Sequence, residues 1–116
     1  MNISIITFTE NGTKLAEKIR QAFAGTKTEE AKKLGLSLSD WTRQQFAEKN
    51  AIVVIGACGI AVRMIAPFVS DKLSDSPVVV ADEAGTFVIP LLSGHMGGAN
   101  ELAEQIAGQK LQDRKS

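Results

Sequence analysis

The chain has one cysteine, one histidine, one tryptophan and no tyrosine in 116 residues, and aromatic side chains make up only 5% of it. A lone cysteine, Cys58, excludes an intrachain disulfide. With His95 the single histidine, no Cys/His cluster offers the ligand count of a structural zinc site. A reducing compartment and a fold without a protein-bound metal are the expectations. Excess charge is missing as well: thirteen Lys and Arg balance thirteen Asp and Glu. No basic stripe tracks a phosphate backbone, so nucleic acid is not an expected partner. No apolar run approaches the ~20 residues needed to cross a bilayer, and no membrane partner is expected. The opening "MNISIITF" lacks the basic flank and longer apolar stretch of a signal peptide and reads as a first strand, so a cytoplasmic location is the expectation.

What is present is enough for one core. At 44% apolar residues the chain is not disordered in composition, and its length suits one domain. Asn2 to Thr7 is apolar and β-branched, and "TENG" interrupts it. Leu15, Ile19, Ala22 and Phe23 then share one face of a helix spanning about 13–24. The charged stretch 25–35 is either a short exposed helix or an irregular connection. Ser39 is the expected N-cap of a helix through "DWTRQQFAEK", with Trp41 and Phe46 as its buried contacts.

"AIVVI", 51–55, is a continuous apolar run of the kind found in a strand covered on both faces. "GACG" turns it into the helix "IAVRMIAPF", which Pro67 limits. "PVVVAD" meets "TFVIPLL" across the short link "EAG", which predicts a hairpin. Ala99, Leu102, Ala103 and Ile106 repeat with helical spacing and predict a helix over about 98–108. Alternating strands and helices predict an α/β fold, a three-layer α/β/α sandwich whose sheet is mainly parallel with one antiparallel hairpin. Residues 1–108 form that single domain, and 109–116 are a polar tail or the start of a linker.

In open α/β sheets ligands sit beyond the carboxyl ends of the strands. Two loops follow strands here, "GACGIAVR" at 56–63 and "SGHMGGAN" at 93–100. In the second, Gly94, Gly97 and Gly98 allow close approach to the main chain, whose N–H groups can hold an anion or oxyanion at a helix N-terminus. The alternative is a tight turn. His95 lies between these glycines, with Ser93 and Asn100 at the ends of the loop. An imidazole, with its ordinary pKa of about 6.5, can move a proton near neutrality. It serves catalysis, contacts a ligand, or makes a structural hydrogen bond.

Arg63 is the one charge in the apolar stretch 57–68, so it pairs with Asp82 or Glu83, or it reaches a ligand. Asp82 and Glu83 end a buried strand, where one can orient His95 or act as a base; both also suit a turn. Cys58 is either a small packed side chain or a thiol at a helix N-terminus.

The stretch from Ala51 to Ala107, with the run "DEAG.FVIPLLSGH.GGAN", resembles the N-terminal domain of the cobalt-precorrin-5A hydrolase family (cobalamin biosynthesis protein G). "ISIITFTENGTKLAEKI" is similar to the first strand and helix of that domain. The resemblance covers nearly all of the chain and implies a role in anaerobic vitamin B12 biosynthesis. The enzymes of this family open the δ-lactone of cobalt-precorrin-5A and release acetaldehyde to give cobalt-precorrin-5B.

It implies a cobalt-corrinoid substrate whose carboxylate arms suit Arg63 and Lys72. No cofactor is implied beyond the cobalt that the substrate carries. It further implies His95 as acid/base, Glu83 or Asp82 as orienter or second base, and an oxyanion site at Gly97 and Gly98; a second possibility makes His95 an axial ligand to the substrate's cobalt. Ser93, Gly94, Gly97, Gly98, Asn100 and Arg63 are the expected substrate contacts. Complete members of the family carry further domains, so the expected partners are those domains or a separately encoded subunit. The alternative is a non-catalytic module that binds a corrinoid or docks a partner and needs the other domains for activity.

Overall fold

A computed structural model describes residues 2–71, 74–93 and 98–115 of the chain, with side chains described through 108. The elements run β1 (Ile3–Thr7), α1 (Glu10–Ala22), β2 (Thr26–Glu30), α2 (Leu38–Glu48), β3 (Ala51–Ile55), α3 (Cys58–Ile65), β4 (Val78–Ala81), β5 (Val88–Leu92) and α4 (Ala99–Lys115), with 3-10 turns at Ala31–Lys33 and Ala66–Phe68. The strands form one sheet in the order β2-β1-β3-β4-β5. The first four are parallel, and β5 lies antiparallel to β4.

The period-2 alternation of the strands divides the core in two. Ile3, Ile5, Ala51, Val53, Ile55 and Val79 point to one face, where α1 and α4 cover them with Leu15, Ala16, Ile19, Leu102, Ala103 and Ile106. Ile6, Ile52, Val54, Val78 and Val80 point to the other, covered by Trp41 of α2 and by Ala61, Met64 and Ile65 of α3. This is the expected three-layer sandwich. Ile5, Ile52, Val53 and Val54 have no exposed surface, and each such side chain contributes about 1.5–3 kcal/mol of apolar burial.

Local chemistry shifts several predicted boundaries. Helix α1 begins at Glu10 rather than near Thr13, because the Thr9 hydroxyl accepts the Gly12 N–H at 3.0 Å and caps the helix. "TENG" is thus the helix start and not a break. A β-carbon at Gly12 would lie 3.2 Å from the Ile55 side chain, so the small residue lets this turn close onto β3. The N-cap of α2 is Ser37, which accepts the Asp40 N–H at 3.0 Å, and not Ser39.

The stretch 25–35, left open between helix and coil, contains the parallel edge strand β2. Its sequence TKTEE carries no apolar residue to signal it, and its outer side faces no neighbouring strand. The hairpin link is longer than the "EAG" read from the sequence and runs from Asp82 to Phe87. Helix α4 continues to Lys115, past Gly108 where the periodicity placed its end.

Strand β5 carries Pro90, which lacks an N–H donor and is tolerated because the strand lies at the sheet edge. A register irregularity between Val78 and Val79 accommodates one extra residue in β5. As a result Leu91 and Leu92 both pack against the α2/α3 side of the core.

Candidate functional site

The antiparallel direction of β5 decides where the candidate residues stand. Strands β1, β3 and β4 end together at one rim of the sheet, and α1 and α3 start there. Asp82 and Glu83 follow β4 at this carboxyl rim. Ser93 follows β5, whose end pairs with the start of β4 through Leu92 and Val78, so it lies at the opposite, amino rim. One β4 strand and its flanking residues separate the two, roughly 10–15 Å along the strand axis. Both loops are expected at the carboxyl ends of strands, but the predicted hairpin reverses β5 and brings the second loop out at the amino rim of the parallel strands.

At the carboxyl rim each candidate acid has a partner within the fold. The Asp82 carboxylate accepts the Phe87 N–H at 2.7 Å, and the Gly85 N–H bonds to the Asp82 carbonyl, so Asp82 closes the β4–β5 link as a turn residue. The Thr9 hydroxyl donates to the Glu83 carboxylate at 2.5 Å and ties that link to the start of α1. Beside this contact lies a cleft of ≈ 260 Å³ lined by Asn11, Lys14, Lys18 and Glu83. Cys58 opens α3 and is exposed, which rules out the packed role considered for it.

Arg63 projects from the last turn of α3 and is also exposed. It forms no ion pair with Asp82, Glu83 or any other described residue. The internal salt bridge to Asp82 or Glu83 is therefore not made.

The amino rim holds the glycine loop. Gly94, His95, Met96 and Gly97 lie outside the described residues, as does Lys72; Ser93 and Gly98 bracket the loop. Ser93 is buried and adopts a left-handed φ of 57°, unusual for a residue with a side chain. Its hydroxyl donates to the Asp75 carbonyl at 3.2 Å, and its own carbonyl accepts the Ala99 N–H at 3.2 Å. These two bonds close the neck of the loop. Gly98 has φ 92°, a conformation open to glycine at little cost, and its carbonyl accepts the Leu102 N–H in the first turn of α4. Asn100 sits half-buried in that same turn.

Two polar features at this rim were not legible as site residues. Asp75 is 8% exposed and accepts the Ser70 N–H with both carboxylate oxygens at 3.0 Å. Ser4, Gln45 and Asn50 form a buried network in which the Gln45 amide oxygen accepts from the Ser4 hydroxyl at 2.7 Å and from the Asn50 amide at 2.8 Å. Gln45 on an amphipathic helix gives no signal by itself; the length of the network, across 41 residues of sequence, is a tertiary property.

Next to Gly98 a cleft of ≈ 370 Å³ opens between the end of α1 and the start of α4. Ile3, Phe23 and Leu102 supply its apolar wall, and Glu101 and Gln105 its polar side. No group of three metal-ligating side chains occurs among the described residues, and no described helix is long and apolar enough to cross a membrane.

Comparison with known proteins adds to this geometry. The model of the family described as cobalamin synthesis G N-terminal matches residues 40–112. A cobalt-precorrin-5A hydrolase of Salmonella typhimurium is 41% identical over 114 residues, covering 92% of this chain and 32% of the relative. A second cobalt-precorrin-5A hydrolase, from Priestia megaterium, is 48% identical over 62 residues, 53% of this chain and 17% of its own length. A solved structure described as a cobalamin biosynthesis protein G homolog from Sulfolobus solfataricus superposes with a TM-score of 0.71 at 25% identity. It covers 93% of this chain and 34% of its own. The chain thus spans about a third of the Salmonella relative and of the solved structure.

Proposed function

We propose that this chain, which belongs to the cobalamin synthesis G N-terminal family, forms one part of a cobalt-precorrin-5A hydrolase of cobalamin biosynthesis. The observation that carries this reading is 41% identity to a hydrolase of that name across 92% of the chain. The substrate is a cobalt-bearing macrocycle with carboxylate arms; the cobalt belongs to the substrate, and no resident cofactor is proposed. In the reaction water opens the δ-lactone, and cleavage of a carbon–carbon bond then releases acetaldehyde and leaves cobalt-precorrin-5B.

The glycine loop at the amino rim is the proposed contact region. His95 exchanges the proton of the attacking water and of the departing alkoxide. N–H groups at Gly97 and Gly98 stabilise the tetrahedral oxyanion, and Ser93 and Asn100 fix the two ends of the loop. The exposed Arg63, without an ion pair among the described residues, meets a substrate carboxylate. Asp82 and Glu83 are spent on the opposite rim within this chain, which supports a loop-shaping role for them over the orienting of His95.

Because the chain spans only about a third of its hydrolase relative, a second reading is kept: a module that binds the corrinoid or docks the remaining domains without turnover of its own. Incubation with cobalt-precorrin-5A and an assay for acetaldehyde separates the two. Acetaldehyde from the isolated chain establishes an autonomous enzyme. Corrinoid binding without acetaldehyde establishes the module, and in the full-length hydrolase His95→Ala lowers turnover by about 10²–10⁴-fold if the imidazole moves the proton. Unchanged turnover of that variant removes His95 from the mechanism.

A further inference from the structure

Five large hydrophobic side chains stand exposed among the described residues: Ile60, Val62, Val69, Phe87 and Ile89. All belong to α3, the segment that follows it, or the β5 arm of the hairpin. The described side chains of α1, α2 and α4 add none. Exposed apolar residues scattered singly need no explanation, but a concentration on one side of a small domain marks a contact surface.

The sheet explains the concentration. Ile89 pairs with Val80, whose side chain faces the α2/α3 layer, and Phe87, two residues earlier, shares that face. Helix α3 covers β3 and β4 on this side through Ala61, Met64 and Ile65, and among the described residues no element beyond it covers Phe87 and Ile89. Phe87 is therefore 64% exposed and Ile89 42% exposed, and Ile60 and Val62 are exposed on the helix that covers this side of the sheet.

The other edge of the same sheet is different. Strand β2 presents Lys27, Glu29 and Glu30, the charged dress that keeps an edge strand from pairing. On β5 Pro90 removes one donor, but the rest of the edge, VIPLL, is apolar and carries no charge.

We propose that this strip, centred on Phe87 and Ile89 on the α3 side of the sheet, is the surface on which the remaining two thirds of the hydrolase polypeptide packs. The inference rests on the hydrolase reading of the family. Its occupant follows from length: the relative and the solved structure are each about three times as long as this chain, and that additional polypeptide must meet this domain somewhere. Its chemistry follows from the strip. The partner face is apolar at its centre, to match Phe87 and Ile89.

Hydroxyl-radical footprinting of the isolated 116-residue chain and of the full-length hydrolase containing it tests the assignment. Oxidation of Phe87 and Ile89 falls by about tenfold in the full-length protein, as expected for side chains moved into an interface core, while Leu34 and Leu36 near the β2 edge change little. In the full-length protein Phe87→Glu restores labelling at Ile89, and Phe87→Ser does so to a lesser degree if the glutamate variant fails to fold. Equal labelling of Phe87 and Ile89 in both proteins overturns the proposal. So does protection already complete in the isolated chain as a dimer, which would assign the strip to a second copy. Footprinting needs no corrinoid and no turnover, so a failed acetaldehyde assay leaves its result standing.

Discussion

The two rims of the sheet solve the problem of loop polarity in different ways. At the carboxyl rim the polar groups lie near the surface: Thr9 caps α1 and reaches Glu83, and Asp82 holds the turn before Phe87. At the amino rim they are buried, as in the network of Ser4, Gln45 and Asn50 and the bond from Ser93 to Asp75. Clefts open at the amino rim as well, among them the ≈ 370 Å³ space beside Gly98 and one of ≈ 250 Å³ lined by Asn2, Gly25, Lys27 and Asn50. A buried group that loses its partner is left unsatisfied, whereas at an exposed rim water takes the partner's place.

This contrast predicts unequal costs. Gln45→Ala leaves the buried Ser4 hydroxyl and Asn50 amide without their shared acceptor and destabilises the domain by about 2–3 kcal/mol in urea unfolding. A loss under half of that would mean that water reaches the network, and the rims would then differ less than their geometry implies.

Thr9→Ala removes an N-cap and the tie to Glu83 at an exposed position, at a cost of about 1 kcal/mol by the same measurement. A cost exceeding that of Gln45→Ala would invert the comparison.

Ser93 offers the finest test. Ser93→Ala deletes the bond to the Asp75 carbonyl while keeping the left-handed backbone, and costs about 1 kcal/mol. Ser93→Gly loses the same bond but relieves a left-handed φ worth roughly 1 kcal/mol or more, so its unfolding free energy stays near that of the parent. Equal losses in both variants would show that the backbone at Ser93 is not strained.

The predicted core agrees well with the folded one because burial follows periodicity. "AIVVI" and "PVVVAD" have too many consecutive apolar residues for a one-sided strand, and both lie inside the sheet. Leu15 and Ile19, or Leu102 and Ile106, recur at helical spacing because a single stripe faces the core. Strand β2 escaped this reading: an edge strand paired on one side and dressed with charge has no apolar pattern to display. The start of α1 was missed for a related reason, since a threonine and a glycine near a strand end are equally the marks of a turn and of a capped helix.

Within the candidate site, the glycines, His95 and the acids could be picked out by residue type, and the family by the run from Asp82 to Asn100. Their grouping could not. Whether Glu83 stands near the glycine loop depends on the direction of β5, and a short link between two apolar runs tells only that they form a hairpin. The consequence, that one loop emerges at the carboxyl rim and the next at the amino rim, appears once β4 is fixed in a parallel sheet.

The sequence by itself determined which residues are buried, that helices alternate with strands, and which family the chain belongs to, because those depend on local spacing and residue identity. Tertiary structure alone decided which side chains share a rim, that Arg63 pairs with neither Asp82 nor Glu83, and that β5 ends the sheet with an apolar edge, because each depends on how strands far apart in sequence are ordered and oriented.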